Sequence, residues 1–381
     1  MIDQVTKPLS ENERLDWLRL IRSENVGPIT FHRLLERFGS AERAIEALPD
    51  LAAKGGKRGY NVYAADDAAR ELDTASTNGI RYIATCEPDY PALLRAINDA
   101  PPLITIKGHA HLLNKPCVAI VGARNASANG RSFARKLASD LGEAKIGSNT
   151  LVVSSGLARG IDTAAHEGSL NSGTIAVVAG GIDRIYPPEN AELMARIADQ
   201  GVIIAEQRPG TEPRGRLFPL RNRIISGLAL GVVVVEASPK SGSLITARMA
   251  LEQGREVFAV PGAPGDPRTA GANSLIRDGA WLTENARDVI TQLPSPDRLA
   301  SGNQTSFDFN AIEQPAGDGQ DIDDAREVVL ELLGPSPVTV DEVARNCQVS
   351  LAHIAAALVE LELAGRLERL SGNRVQLRID T

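Results

Sequence analysis

Cysteine is nearly absent from the chain. Three residues in 381 (Cys86, Cys117 and Cys347), far apart, exclude a disulfide framework and a four-cysteine zinc site. Aromatic residues make up only 4%, so the core must be mostly aliphatic. No apolar run approaches the roughly 18–20 residues of a membrane span, and the polar stretch from Met1 to Asn12 is no signal peptide. A soluble, cytoplasmic protein is therefore expected. An excess of positive charge is also missing: 41 Lys+Arg stand against 48 Asp+Glu, a net charge of −7. Nucleic-acid binding then requires a local basic cluster. Several enzyme signatures are lacking too. No Gly-x-x-x-x-Gly-Lys-[Ser/Thr] segment exists, which disfavours a P-loop ATPase. No Gly-x-Gly-x-x-Gly follows the first predicted strand of the central region and no acid ends the second, which disfavours an NAD site. His109 and His111 lack an acidic or cysteine partner nearby, and His166 on a helix reads as a packing or capping residue. No nucleophile–base set stands out, so neither catalysis nor a cofactor or metal is expected.

With 43% hydrophobic and 23% charged residues, the composition is that of a globular protein with two or three domains. Residues 13–48 read as short helices around the turn Glu24-Asn25-Val26-Gly27-Pro28, with Gly39 ending the second. This pattern fits either a helix-hairpin-helix, which offers amides to phosphate, or a plain helical packing domain. Six short apolar runs follow, beginning near Cys117, Leu151, Thr174, Val202, Val232 and Val257, most of them rich in β-branched residues. Helical patterns fill the gaps at 128–141, 158–170, 189–199, 220–229 and 243–253. The alternation predicts a doubly wound parallel sheet, its strands buried on both faces. Residues 294–320 are rich in Pro, Gly and polar residues and read as a flexible linker. Three further helices (324–333, 340–346 and 351–363) precede a hairpin around Ser371-Gly372-Asn373, which predicts a winged helix.

The chemistry sits in the loops after the strands. Gly122-Ala123-Arg124-Asn125-Ala126-Ser127 leads into a helix, where exposed amides and the helix dipole favour an anion. Arg124 adds a fork-shaped cation. Ser155-Gly156-Leu157-Ala158-Arg159-Gly160-Ile161-Asp162 repeats the design, and Ser238-Pro239-Lys240-Ser241-Gly242-Ser243 gives a third version with Lys240. Between Arg208 and Arg248 the local charge is +5, including Arg221 and Arg223. Surface fields decay within about 8 Å at physiological salt, so this excess outweighs the acidic total. A solvated loop with internal ion pairs is the competing interpretation. A mononucleotide needs one phosphate cradle, whereas three along one sheet edge suit a polymer. Single-stranded DNA fits, with Phe218 as a stacking platform and backbone charge dominating.

Val121-Gly122-Ala123-Arg124, Ser154-Ser155-Gly156-Leu157-Ala158-Arg159-Gly160-Ile161-Asp162, Phe218-Pro219-Leu220-Arg221-Asn222-Arg223-Ile224-Ile225-Ser226 and Pro239-Lys240-Ser241-Gly242-Ser243-Leu244-Ile245-Thr246-Ala247 together resemble the DNA-processing protein A (DprA/Smf) family. The stretch from Gly271 to Ala280 adds a further likeness, and the match spans nearly the whole chain. The resemblance implies an α/β fold: an N-terminal helical (helix-hairpin-helix or SAM-like) domain at 1–79, an extended Rossmann-like DNA-binding domain at 80–293, the linker at 294–320 and a winged helix at 321–381. It implies a non-enzymatic protein of natural transformation that binds incoming single-stranded DNA, loads the RecA recombinase onto it, overcomes single-strand-binding protein and forms a homodimer through the Rossmann-like domain. Carried over residue by residue, DNA contacts fall at Arg124, Arg159, Phe218, Arg221, Asn222, Arg223 and Lys240, with Ser155, Gly156, Gly242 and Ser243 supplying backbone or hydroxyl contacts.

Two features depart from a simple DNA reader. The winged helix carries a charge of −2 from Ala325 onward, and its third helix has Glu360 and Glu362 but no Lys or Arg. A major-groove helix needs cations, so this segment is expected to pack or to contact protein. The alternative function is a nucleotide phosphoribohydrolase of similar sheet, whose Gly-Gly-x-Gly-Thr-x-x-Glu loop is approached by Lys240 to Thr246. Thr246 stands where the glutamate would be, which removes the general base.

Overall fold

The computed structural model describes residues 7–146, 149–294, 319–347, 349–370 and 372–378. The expected linker at 294–320 lies almost wholly outside them. The chain divides into two compact units. One joins Met1–Pro8 with Asp73–Gln304; the other joins Leu9–Leu72 with Thr305–Thr381.

The second unit opens with helices α1 (Glu11–Arg22), α2 (Pro28–Phe38) and α3 (Ala41–Lys54), and the boundary at Leu72 falls inside α4 (Ala65–Thr77). Ser10 and Glu13 form a capping box at the start of α1. Trp17 on α1 meets Phe31 on α2 edge-to-face, with ring centroids 5.0 Å apart.

The first unit is a nine-stranded sheet built from β1 (Arg81–Ala84), β2 (Leu103–Gly108), β3 (Cys117–Gly122), β6 (Val152–Ser155), β7 (Thr174–Gly181), β8 (Val202–Gln207), β9 (Gly231–Val235), β10 (Glu256–Ala259) and β11 (Trp281–Leu282). The two-residue strands β4 (Lys145–Ile146) and β5 (Asn149–Thr150) form a separate small hairpin. The order in the large sheet is β1-β2-β8-β7-β6-β3-β9-β10-β11. From β8 to β11 all pairings are parallel, whereas β1–β2 and β2–β8 are antiparallel. The six strands expected from the apolar runs are all present. The antiparallel edge and β11 were not legible, because their apolar runs are short and interrupted.

Helices α6 (Ala128–Glu143), α7 (Ile161–Ser169), α8 (Ala191–Gln200), α9 (Leu217–Leu228), α10 (Gly242–Glu252), α11 (Ala270–Arg277) and α12 (Ala286–Gln292), with the single turn α5 (Ala92–Arg95), flank the sheet. Val118, Ile120, Val153, Val233 and Val235 pack with α6 and α7 on one face. Ala119, Val121, Val152, Val232 and Val234 pack with α9 and α10 on the other. The alternation along each strand explains why the runs are continuously apolar: both faces are covered.

The chain leaves β3 for β6 on one side and later returns to β9 on its other side. Doubly wound sheets bind ligands at such a reversal, outside the carboxyl ends of the strands. The loops after β6, β3 and β9 therefore lie side by side.

The second unit is completed by α13 (Gly319–Leu332), β12 (Val338–Thr339), α14 (Val340–Asn346), α15 (Leu351–Leu363), β13 (Leu367–Leu370) and β14 (Arg374–Leu377). Strand order β12-β14-β13 makes the wing, and Ala325, Val329, Ile354, Leu358, Leu361 and Val375 fill its core. The acidic end of α15 packs on the N-terminal helices. Asn25 Nδ2 donates to the Leu363 carbonyl at 3.1 Å, the Thr30 hydroxyl donates to Glu362, and Arg369 Nε reaches Glu362 Oε2 at 2.9 Å. Arg326 Nη1 stands 3.5 Å from Glu360 Oε2. The absence of cations on α15 thus has a structural counterpart: its last turn is occupied within the chain.

Candidate nucleic-acid interface

A cavity of about 820 Å³ opens at the carboxyl ends of β3 and β9. Its wall is drawn from the β3–α6 loop (Gly122 to Asn125), from α9 (Phe218, Arg221, Asn222) and from the start of α10 (Ser241, Gly242, Ser243, Thr246). Asp162 and Tyr186 also line it.

The exposed Arg124 lays its guanidinium over the Phe218 ring, 5.0 Å from the centroid. The Tyr186 ring lies 5.5 Å from Phe218. An aromatic wall and a cation thus share one lip of the cavity. Arg221 is only 6% exposed, and its Nε and Nη1 have no hydrogen-bond partner among the described residues. Burial pulls its pKa down to about 10, Asp162 opposes that shift, and Arg124 adds to it. A buried guanidinium with unmade bonds lining an open cavity is a strong attractor for an anion.

Asn222 Nδ2 donates to the Gly242 carbonyl at 3.4 Å, which ties α9 to the start of α10. Ser241 caps α10 by accepting from the Ser243 amide at 3.3 Å, and the two hydroxyls meet at 2.7 Å. The two serine hydroxyls lie at the cavity edge, where the positive end of α10 points, while the Ser241 amide is spent on the Ser238 carbonyl.

The other two cradles are closed by carboxylates of the chain itself. Glu236 Oε2 accepts the Ser127 amide at 2.8 Å, and the Ser127 hydroxyl donates to Oε1, so the start of α6 already holds an anion. Glu236 does this from a left-handed backbone, with φ of 52°. In the loop after β6, Asp162 Oδ2 accepts the amides of Gly156 at 3.2 Å and Ala158 at 3.3 Å. Gly160 has φ of 81°, and a Cβ there would lie 2.3 Å from the Ala123 carbonyl oxygen, so only glycine fits between the loops. His166 is fully buried; its Nε2 accepts the Leu157 amide at 3.3 Å while Nδ1 meets the Thr174 hydroxyl at 2.7 Å. Burial pulls this imidazole down to about 3, so it is neutral and structural, as the helix placement suggested.

Of the residues singled out from sequence, Arg124, Phe218, Arg221, Asn222, Gly242 and Ser243 line the cavity together. Lys240 is exposed in the neighbouring turn without lining it. Arg159 is exposed too, and stands 3.7 Å from Glu189. Three expected contacts are placed otherwise. The Ser155 hydroxyl is buried and donates to the Ile120 carbonyl at 2.6 Å. The buried Gly156 spends its amide on Asp162. Arg223 is 5% exposed and locked between Glu206 and Asp99, because it stands two residues from Arg221, on another face of α9. Sequence reasoning passed over Tyr186 and Arg268, which lies at the cavity with Asp266 2.7 Å from its Nη2. It also left Asp162 and Glu236 without roles; an acid beside a Gly-rich helix start is the signal that could have flagged both.

Known proteins share this architecture. The family model for DNA recombination-mediator protein A matches residues 81–294. A DprA-like N-terminal HHH domain matches 11–74 and a DprA winged helix domain 313–373. Protein Smf of Synechocystis sp. is 31% identical over 403 residues, covering 97% of this chain and 100% of its own length. DNA processing protein DprA of Bacillus subtilis is 43% identical over 59% of this chain and 75% of its own. Among solved structures, DNA processing protein A of Streptococcus pneumoniae aligns with a TM-score of 0.62 and 35% identity, covering 75% of this chain and 99% of that one. DNA processing protein A of Helicobacter pylori, solved for its single-stranded DNA binding mode, aligns with a TM-score of 0.51 and 29% identity over 56% of this chain and 95% of that one. The chain therefore belongs to the DNA-processing protein A (DprA/Smf) family.

Proposed function

We propose that this protein binds single-stranded DNA without catalysing a reaction on it, protects the incoming strand and loads the RecA recombinase onto it during natural transformation. The observation that carries the DNA-binding part is the buried, unpartnered Arg221 guanidinium in a cavity whose lip pairs Arg124 with Phe218. A cavity of about 820 Å³ has room for a nucleotide but not for a paired duplex, which favours a strand whose bases can leave the stack. The cations attract backbone phosphate irrespective of sequence, and the aromatic wall accepts any base. The single-stranded DNA bound by the Helicobacter pylori relative supports this choice of ligand.

The recombinase-loading role, action against single-strand-binding protein, the cytoplasmic location and the homodimer rest on the family. For a homodimer through the sheet unit, the outer edge beyond β10 offers Trp281 and Leu282, exposed by 44% and 49%. No helix among the described residues is long and apolar enough to cross a membrane. Any ATP used in loading belongs to the recombinase.

Fluorescence anisotropy with single-stranded and duplex oligonucleotides across a salt series tests the DNA-binding reading. Single strands are expected to bind more tightly than duplex, affinity to fall steeply with salt, and Arg124→Ala to weaken all sequences alike. Equal affinity for duplex and single strand, or no salt dependence, would overturn it.

A further inference from the structure

Asp162 has no place in the DNA contacts, yet among the described residues it is the one carboxylate that lines the cavity. It is 6% exposed, and its Oδ2 gathers the amides of Gly156 and Ala158. The turn it holds is irregular: Leu157 and Gly160 both have positive φ, at 54° and 81°. Those two hydrogen bonds gather its amides on the cavity side, while the Leu157 amide on His166 and the Asn190 side-chain amide on the Leu157 carbonyl, at 2.9 Å, hold its other side. Arg221 stands close enough for mutual attraction, but its Nε and Nη1 are left unbonded. The carboxylate thus compensates the buried guanidinium without satisfying it.

We propose that Asp162 is the positioning residue of the cavity: it holds the 155–160 turn and Arg221 in binding geometry, and capture of a DNA phosphate at Arg221 is coupled to uptake of a proton by Asp162. The inference rests on the reading of the cavity as a phosphate site.

The charged groups that face Asp162 are Arg221 from α9 and Arg124 from the β3–α6 loop, both favouring the carboxylate. His166, on the same helix, is neutral in the relevant pH range. Burial, the larger influence, pushes the Asp162 carboxyl above its ordinary value against the pull of Arg221. A phosphate at Arg221 spends that pull and adds repulsion, so the carboxyl holds its proton more tightly in the complex than in the free protein. The complex then binds more protons, and affinity rises as pH falls. Each unit by which the bound value exceeds the free one is worth about tenfold in affinity.

The test uses the full chain, a labelled single-stranded oligothymidylate and anisotropy at constant ionic strength from about pH 8 to about pH 5. Asp162→Asn keeps an acceptor of the same shape but cannot take up the proton; Asp162→Ala loses both. The wild type is expected to tighten progressively as pH falls, and the Asn variant to stay within about twofold across the range. The Ala variant is expected to bind at least about tenfold more weakly at every pH, with faster hydrogen exchange at Gly156 and Ala158. An Asn variant that keeps the wild-type slope, a wild type that binds with no slope, or an Ala variant with wild-type affinity and exchange would overturn the proposal. A wild type that fails to bind at low salt would overturn the cavity reading itself, and this inference with it.

Discussion

Gly156 faces the Arg221 guanidinium so closely that one methyl group decides whether the cavity can form. A Cβ there would lie 1.3 Å from Nη1, 2.4 Å from Cζ and 2.7 Å from Nη2. Ordinary non-bonded contacts need about 3.5–4.0 Å, so in Gly156→Ala the guanidinium must move by about 2 Å. Gly156 does not have a positive φ, so alanine fits the backbone and the collision alone is at issue. Displacement carries the cation away from the Asp162 side, into the space an anion would occupy or out towards solvent. Overpacking costs about 1–3 kcal/mol of stability, and losing one charge-assisted bond to phosphate costs about 1.5–3 kcal/mol of binding. At about 1.4 kcal/mol per decade, affinity for single-stranded DNA should fall about ten- to a hundredfold. A double-mutant cycle makes the test specific. If Gly156→Ala acts only through the guanidinium, it should cost little further affinity in an Arg221→Ala background, where the obstructing group is gone. Wild-type affinity in Gly156→Ala, or losses that simply add in the double variant, would refute the reasoning.

Arg223→Ala should lower stability by about 3–5 kcal/mol in urea titrations, because it strands Glu206 and Asp99, while the folded fraction keeps its DNA affinity within about twofold. The neutral His166, held near 3 against its ordinary 6.5, contributes stability that is complete above the unfolded value and lost as pH falls towards 3. By pH 5 the loss should reach about 2 kcal/mol, and thermal melts of His166→Gln should lack that part of the pH dependence. Glu362→Gln should speed hydrogen exchange at the start of α2 and the end of α15 and leave single-stranded DNA affinity unchanged, since Glu362 accepts from Thr30 and Arg369. The logarithm of affinity should fall against the logarithm of salt with a slope of about −2 to −3 per protomer, the value for three or four neutralised phosphates on a single strand.

Much of this architecture was legible because it is local. Each β-branched run ended in a Gly-bearing loop, and each loop opened a helix, so the sheet and the edge that carries the cavity could be read directly. Arg124, Phe218, Arg221 and Asn222, which line one cavity, were legible as candidates because an arginine or aromatic beside a glycine-lined helix start has few structural uses. The adjacent Arg223 looked equivalent, but a helix turns by about 100° per residue, and its partners Glu206 and Asp99 lie 17 and 124 positions away. Ser155 and Gly156 failed for a different reason. A glycine-lined turn shows that amides are available but does not tell what accepts them, and here Asp162 does. The docking of α15 on the N-terminal helices joins residues more than 330 positions apart and leaves no periodic trace.

The internal carboxylates change the kind of binding site this sheet presents. Three open cradles would form a track, with a phosphate held at each stop. Glu236 and Asp162 close two of them, because a helix start already holding an anion repels another. What stays open is one focus where Arg124, Arg221 and the start of α10 converge, with Lys240 and Arg159 exposed nearby. A focus neutralises few phosphates, so one protomer gains little from strand length beyond a few nucleotides. Tight binding to a long strand must then come from more than one focus engaging the same strand. Two copies joined by the proposed dimer contact would supply this, since the second site would bind at the high effective concentration set by the first. If the proposed dimer forms through the β11 edge, affinity for oligonucleotides of increasing length should rise in a step, at the length that first spans two cavities, and Trp281→Glu should remove the step while leaving short-strand affinity intact. A smooth rise with length, unchanged in that variant, would favour the continuous track instead.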